Sequence, residues 1–583
     1  MNWIGDLAKM SSLRGHDEGV LLNRPLSMMR ACLNRSGGED DAVESLVDFV
    51  NSTDFAWPAE GEAELGMLNY SRPLRVILEL AVLWALPLWF RVKLLPVNRS
   101  ARRNRAVVIS PSAIPVVWNE LHAQITQYDD AYSSYLELYS SFFKYRRPST
   151  RYKSFLEGST TVQKDVFGNF SSHANALRIQ PRLAELRSLP ALVRKLAVED
   201  WVNPLQSIYA AASPITAQDI LLATNADLLT ALDALTDCYT PEQLYFHTIW
   251  AFVQALGGLV SSHLSSALQG YEAGKIFIRF TCFEQVEMTY NVLLASINKA
   301  QYTRQEQISI LALLENVRTV ASEKLRSYSK LNSPLINELA DLVEEMKTVV
   351  WPEDDFGSPG GFERYYGPPY NGTGDFFGQW HSSRLQLQHT LVHEDRQVDV
   401  AQIYELHPSQ LFSYNPALNV MSVAVAALAP PYFYSKGTSA MTYGGLGYAY
   451  AKAIFEALES MTDLLHGGAV TEPFVASETE AFWNGSWCTV VGYKDWLCPQ
   501  LPALVVAYET YVRFRNVSSD LPLEGMESYS PEQVFFFTFC HVSCYIGPLM
   551  TKVSEQCLTA AKHFEPFSKA FSCRRGSAMN GYA

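Results

Sequence analysis

Three spacings in this chain could do chemistry on the face of a helix. His389-Thr390-Leu391-Val392-His393-Glu394 sets two imidazoles four residues apart, so one helix face could offer a divalent ion two nitrogens. The general base of the H-E-x-x-H pattern is missing, because its position holds Thr390, and the pair reads as surface histidines. Lys452 and Glu456 are also four apart and can form an ion pair along a helix. The competing reading is two solvated side chains in an open cleft. Cys540 and Cys544 repeat the spacing; two half-buried thiols, or one half of a long-range disulfide, explain them better than a metal site. The nine cysteines include no C-x-x-C pair, which argues against a zinc knuckle or a thioredoxin-type motif.

The elements that must carry these residues read mostly as helix. Gln305 to Leu325 places Ile310, Leu313, Leu314, Val317 and Ala321 on one stripe, with Glu315, Arg318 and Lys324 outside it. Thr240-Pro241-Glu242-Gln243 has the chemistry of a capping box with proline in the first turn, and Ser530-Pro531-Glu532-Gln533 repeats it. Trp118 to Tyr145 is a long tyrosine-rich helix candidate. Leu74 to Phe90 is apolar enough to resemble a membrane span, but it holds Arg75, Glu79 and Pro87 and is short for crossing hydrocarbon, so a buried helix is expected. Pro352 to Trp380 is dense in Gly and Pro and marks a boundary or long crossover. Val420 to Leu428 is a candidate strand ended by Pro430-Pro431.

A chain of 583 residues is too large for one hydrophobic core. With 48% hydrophobic and 18% charged residues it is globular rather than disordered. A net charge of -14 speaks against a nucleic-acid partner, which needs a basic face. Acceptor sequons N-x-[S/T] occur at Asn34, Asn51, Asn69, Asn98, Asn169, Asn371, Asn484 and Asn516 and favour a secreted or luminal chain. Met1 to Arg30 contains no apolar run of signal-peptide length, so the expectation is that the true N-terminus lies upstream.

Tyr414 to Leu458 carries a resemblance. Asn419, Leu428, Pro430, Pro431, Tyr432, Phe433 and the run Tyr443-Gly444-Gly445-Leu446-Gly447 stand in register with the neprilysin / endothelin-converting-enzyme family of zinc metallopeptidases. There an edge strand ending in P-P-[FY]-F precedes N-Y-G-G-[IL]-G and the zinc-binding helix. Phe571 to Asn580 is similar to that family's F-x-C-x-x-G-S-x-M-N ending, Val534 to Cys544 to one of its helices, and Ala31-Cys32-Leu33-Asn34 to the start of its helical domain.

The resemblance implies a mainly α fold with a small β component. A large helical domain over 31–350 would follow a divergent segment 1–30. A crossover over 351–410 would lead to a thermolysin-like zincin domain over 411–583, the whole enclosing a central cavity. It also implies which chemistry is lost. The two zinc-binding His positions hold Lys452 and Glu456, and the general base holds Ala453. The third ligand falls on Tyr493, the orienting Asp on Leu497, the oxyanion-stabilising His on Met550 and the substrate-binding Arg on Gln556. Leu411-Phe412 replaces the substrate-binding Asn-Ala, and Ala424-Val425-Ala426 replaces Pro-Ala-Gly. The His389 pair lies before the edge strand, in the wrong part of that fold.

No cofactor is therefore expected, although active relatives use zinc. The reading is a catalytically inactive pseudo-metalloendopeptidase that binds peptides or proteins; the alternative is an active zinc metalloendopeptidase. By the same resemblance Cys32 pairs with Cys282, while Cys544 and Cys573 would pair with cysteines upstream of this chain. The expected location is an extracellular or cell-surface ectodomain whose membrane anchor is absent from this sequence.

Overall fold

The structure, a computed structural model, describes residues 16–34, 39–52, 68–99, 102–127, 150–174, 181–209, 214–270, 272–327, 334–352, 366, 375–391, 411–416, 418–466, 498–515, 520, 523–544 and 557–580. The first half runs α1 (His16–Asn34), α2 (Glu39–Ser52), α3 (Ser71–Val82), β1 (Phe90–Arg99), β2 (Arg102–Pro111), α4 (Ile114–Ile125) and α5 (Thr150–Ala174). It continues through β3 (Arg182–Glu185), α6 (Val198–Tyr209), β4 (Ile220–Ala223), α7 (Asp227–Cys238), α8 (Pro241–Val260) and α9 (Glu272–Lys299). The second half holds α10 (Arg304–Ser327), α11 (Pro334–Glu345), β5 (Lys347–Val349), α12 (Phe376–Leu391), β6 (Phe412–Asn415), β7 (Val420–Val423), α13 (Tyr448–His466), α14 (Gln500–Phe514) and α15 (Pro531–Cys544). The fold is mainly α with two small sheets.

Two compact units form, and neither is continuous in sequence. Met1–Leu294 joins Glu353–Ala401, and Ala295–Pro352 joins Gln402–Ala583. These limits differ from the sequence-based boundaries at 350 and 411. The physical reason is pairing: β5 lies parallel to β7, with Lys347 opposite Val420, so α10, α11 and β5 fold with the C-terminal part. Meanwhile α12 packs on α1, α2 and α8 in the first unit.

In the first unit α8 is the core. Every residue from Leu244 to Val260 is buried, as expected of a helix apolar on all sides. Its start is the capping box read from sequence: Thr240 accepts from the Gln243 N–H, and Gln243 Oε1 accepts from the Thr240 N–H. His247 is buried in this helix beside Trp89 and Phe167, with no hydrogen bond to either ring nitrogen. Burial, with His122 nearby, holds its imidazole down at about 3.

A four-stranded sheet in the order β1-β2-β4-β3 lies in the same unit, with only β2 and β4 parallel. The apolar run from Leu74 is α3 and then a turn into β1, not one helix to Phe90. The two charges within α3 bond to each other, Arg75 Nε to Glu79 Oε1 at 2.8 Å. Among the described residues no helix is long and apolar enough to cross a membrane. The Trp118 helix candidate is α4, which begins earlier and ends at Ile125; residues 128–145 of that candidate lie outside the described residues.

The helix α9 is kinked at Tyr290, whose φ of -122° and ψ of 25° are not helical. Side chains satisfy the backbone around the break. The Val292 N–H donates to Asn291 Oδ1 and the Leu293 N–H to the Tyr366 hydroxyl at 3.2 Å. Arg384 donates to the Gln285 and Met288 carbonyls, and Ser383 meets the Tyr290 hydroxyl. A side chain inserted into the i→i-4 ladder is a recognised cause of a kink. Cys32 and Cys282 form a disulfide between α1 and α9, the pairing the family resemblance implies.

The second unit is built on α10. Ile310, Leu313, Leu314, Val317 and Ala321 are all buried on the stripe expected of them. Its sheet has the order β5-β7-β6. The strand read over Val420–Leu428 stops at Val423, and Val425–Leu428 is a turn of 3-10 helix. Cys540 is disulfide-bonded to Cys557, 17 residues on, rather than being a half-buried thiol or half of a long-range bridge. Among the described residues Cys238 and Cys573 are free thiols; the resemblance puts the partner of Cys573 upstream of this sequence.

Candidate functional site

The segment that carries the family pattern folds as a hairpin, a tight turn and a helix. Asn419 ends the turn between β6 and β7 at φ 53°, a left-handed conformation that asparagine tolerates. Its Oδ1 accepts from the Tyr414 hydroxyl at 3.0 Å, and its amide donates to the Leu342 carbonyl at 3.0 Å. Further on, Tyr443–Gly447 forms a single π-helical turn leading into α13. Two glycines here are required by approach. A Cβ on Gly444 would lie 2.5 Å from the Phe535 carbonyl oxygen, and one on Gly445 2.3 Å from that of Tyr432. Gly-Gly thus lets the turn touch both α15 and the Pro-Pro-Tyr-Phe segment, which fixes where α13 begins.

On α13 the residues that the resemblance puts at metal-binding positions bond to each other. Lys452 Nζ lies 2.8 Å from Glu456 Oε1, with the lysine side chain 19% exposed and the glutamate 53%. Burial works against the ammonium, but the Glu456 carboxylate, then Tyr448 and Tyr432, outweigh it and leave its pKa above the ordinary value. Tyr448, one turn earlier, is buried edge-on to Phe539 at 4.5 Å. Burial pushes its phenol up to about 12, against the pull of Lys452. Between the charged pair sits Ala453, 7% exposed, a methyl where the resemblance leads one to expect a base. Tyr450 faces the sheet, sharing a hydrogen bond with Thr348 of β5 and lying tilted against Phe412 of β6.

A zinc ion needs lone pairs from two side chains on this face and a base beside them. An ammonium offers no lone pair, the alanine has no donor atom, and the one carboxylate is bonded to the ammonium. The residues present do not fit the metal. Among the described residues no group of three His, Cys, Asp or Glu side chains is arranged to hold one. Tyr493, Leu497, Met550 and Gln556 lie outside the described residues, as do His393 and Glu394 and the side chain of His389. Leu411 and Phe412 stand at and beside β6, which is an edge strand among the described strands.

Of the acceptor sequons, Asn69 and Asn169 have described side chains, and both are exposed. The side chains of Asn34, Asn51, Asn98, Asn371, Asn484 and Asn516 lie outside the described residues. Sequence reasoning missed the Cys540–Cys557 bridge. Its signal was weak, since the spacing matches no metal or redox motif.

Residues 413–582 match the sequence profile of Peptidase family M13. No curated protein matches the chain at the sequence level. Among solved structures, the zinc metalloprotease Zmp1 of Mycobacterium tuberculosis, in complex with an inhibitor, is similar with a TM-score of 0.59 and 14% identity, over 99% of this chain and 90% of that one. PepO from Lactobacillus rhamnosis has a TM-score of 0.54 and 12% identity, over 99% of this chain and 91% of its own. A galactose-containing glycoprotein complex of Haemonchus has a TM-score of 0.56 and 14% identity, over 100% of this chain and 89% of its own. At such identities the likeness is one of fold.

Proposed function

We propose that this chain, whose residues 413–582 match Peptidase family M13, is a pseudo-peptidase of that family: a member that keeps the fold, does not hydrolyse peptide bonds, and binds peptides or proteins outside the cell. The observation that carries this reading is the Lys452–Glu456 ion pair at 2.8 Å on α13. A lysine whose pKa is raised stays charged through the physiological range, so it repels a divalent ion instead of ligating it. With Ala453 between the pair, the position expected of the base carries no proton acceptor, and the carboxylate of Glu456 on this face is engaged by the lysine.

Binding without cleavage is supported by the edge position of β6. An extended peptide can add to such an edge through backbone hydrogen bonds. An extracellular location is supported by the eight acceptor sequons and by the Cys32–Cys282 and Cys540–Cys557 disulfides, which persist in oxidising compartments.

The test is zinc per chain in protein purified from a secretory host, read with cleavage of a peptide library in the presence and absence of a chelator. We expect far less than one zinc per chain and no chelator-sensitive cleavage. One zinc per chain together with chelator-sensitive cleavage would overturn the proposal in favour of an active metalloendopeptidase.

A further inference from the structure

We propose that the cleft beside Asn69 is filled by the chain's own N-linked glycan at that residue, its N-acetylglucosamine core lying against Tyr70, Pro190, Lys195 and Val198. This inference rests on the secretory reading above. The cleft has a volume of about 580 Å³ and is formed by the loop before α3 and the segment entering α6; Asn69 is itself one of its walls. The Asn69 side chain is exposed, and the Ser71 hydroxyl donates to its Oδ1 at 2.5 Å, which leaves Nδ2 to carry the sugar.

The charges of the cleft argue for a neutral occupant. Arg194 is held by Asp233 at 2.8 Å and by Asp237. Lys195 donates to the Thr236 carbonyl at 2.6 Å and lies 3.3 Å from Asp237. Glu199 and Asp200 also line the cleft, so an anion would meet four carboxylates around these two cations. A sugar meets no such repulsion, since its hydroxyls can share the outer edges of such groups while its ring face and acetyl methyl cover Pro190 and Val198. A tethered ligand also acts at an effective concentration on the order of millimolar, so weak contacts suffice to hold it. Asn169, exposed on α5, is not part of this cleft and serves as the internal control.

The modification is a group transfer from a lipid-linked pyrophosphoryl oligosaccharide. Nδ2 bonds to the anomeric carbon, the anomeric carbon–oxygen bond breaks, the lipid pyrophosphate leaves with the electron pair, and one amide proton is released.

The experiment expresses the full chain in a glycosylating host, maps occupancy by mass spectrometry, and follows hydrogen exchange over residues 190–200. The comparison is among the natural chain, Asn69→Gln, Ser71→Ala and Asn169→Gln. We expect Asn69 to be occupied, and exchange over 190–200 to be several-fold faster in Asn69→Gln and Ser71→Ala but unchanged in Asn169→Gln. Occupied sequons elsewhere with Asn69 bare would overturn this inference and leave the secretory reading standing. So would an occupied Asn69 whose loss leaves the exchange unchanged. Glycan at none of the eight acceptors would overturn both.

Discussion

Water can reach the two ends of the Lys452–Glu456 pair to different degrees, and this decides what each deletion costs. Glu456→Gln leaves a mostly buried ammonium without its counter-charge, which costs about 1–3 kcal/mol. Lys452→Met leaves a half-exposed carboxylate that water serves, and adds an apolar side chain near Tyr448; its effect is within about 1 kcal/mol. Denaturant midpoints of the two variants measure the asymmetry, and equal losses would refute it. The pair was legible in the sequence because four-residue spacing on a helix is a local property. The Cys540–Cys557 bridge was not, because its partners meet only through the course of the chain between them.

Elements whose ends are set by local chemistry were the most readable. The Thr240 and Ser530 capping boxes form as their residue types dictate, Ser530 accepting from the Gln533 N–H at 3.2 Å. The stripe of α10 is likewise in place. Reading failed where tertiary packing overrides the pattern. Val420–Leu428 is apolar but for Ser422, yet pairing stops at Val423, where the chain turns to bring Leu428 to the Tyr302 hydroxyl at 2.7 Å. The kink of α9 left no signal in its own residues, since the groups that satisfy it include Tyr366, Ser383 and Arg384, far along the chain. Tyr366→Phe removes the acceptor of the Leu293 N–H, at a cost of about 1 kcal/mol. Hydrogen exchange at Leu293 should quicken in that variant while exchange in α8 stays unchanged; an unaltered Leu293 would show that the hydroxyl does not hold the kink.

At the scale of the whole molecule, the sequence indicated more than one core but not how the chain is shared between them. Composition sets the number of cores, whereas strand pairing such as β5 with β7 assigns segments to them. Stability of the first unit carries an acid liability at His247. Its folded value of about 3 lies below the ordinary 6.5, so the unfolded chain binds the extra proton. The stabilisation from this group is complete above 6.5 and is lost as pH falls through that value toward 3. Unfolding free energy from this residue drops by about 2–3 kcal/mol between pH 7.5 and 4.5. Urea titrations at the two pH values should show His247→Phe losing that much less than the natural chain; parallel losses would place the acid sensitivity elsewhere.

The discontinuous first unit also has a consequence for synthesis on the ribosome. Its helix α12 follows α10, α11 and β5, which belong to the other unit. A nascent chain growing at about 5–20 residues per second therefore exposes three foreign elements before its own last helix emerges. Cys282, 250 positions after Cys32, has by then emerged, so that bridge can close ahead of the unit's completion. Any fragment ending near residue 350 would hold an unfinished first unit, its Phe49 and Trp84 rings lacking the Trp380 that packs edge-on to the one and tilted against the other.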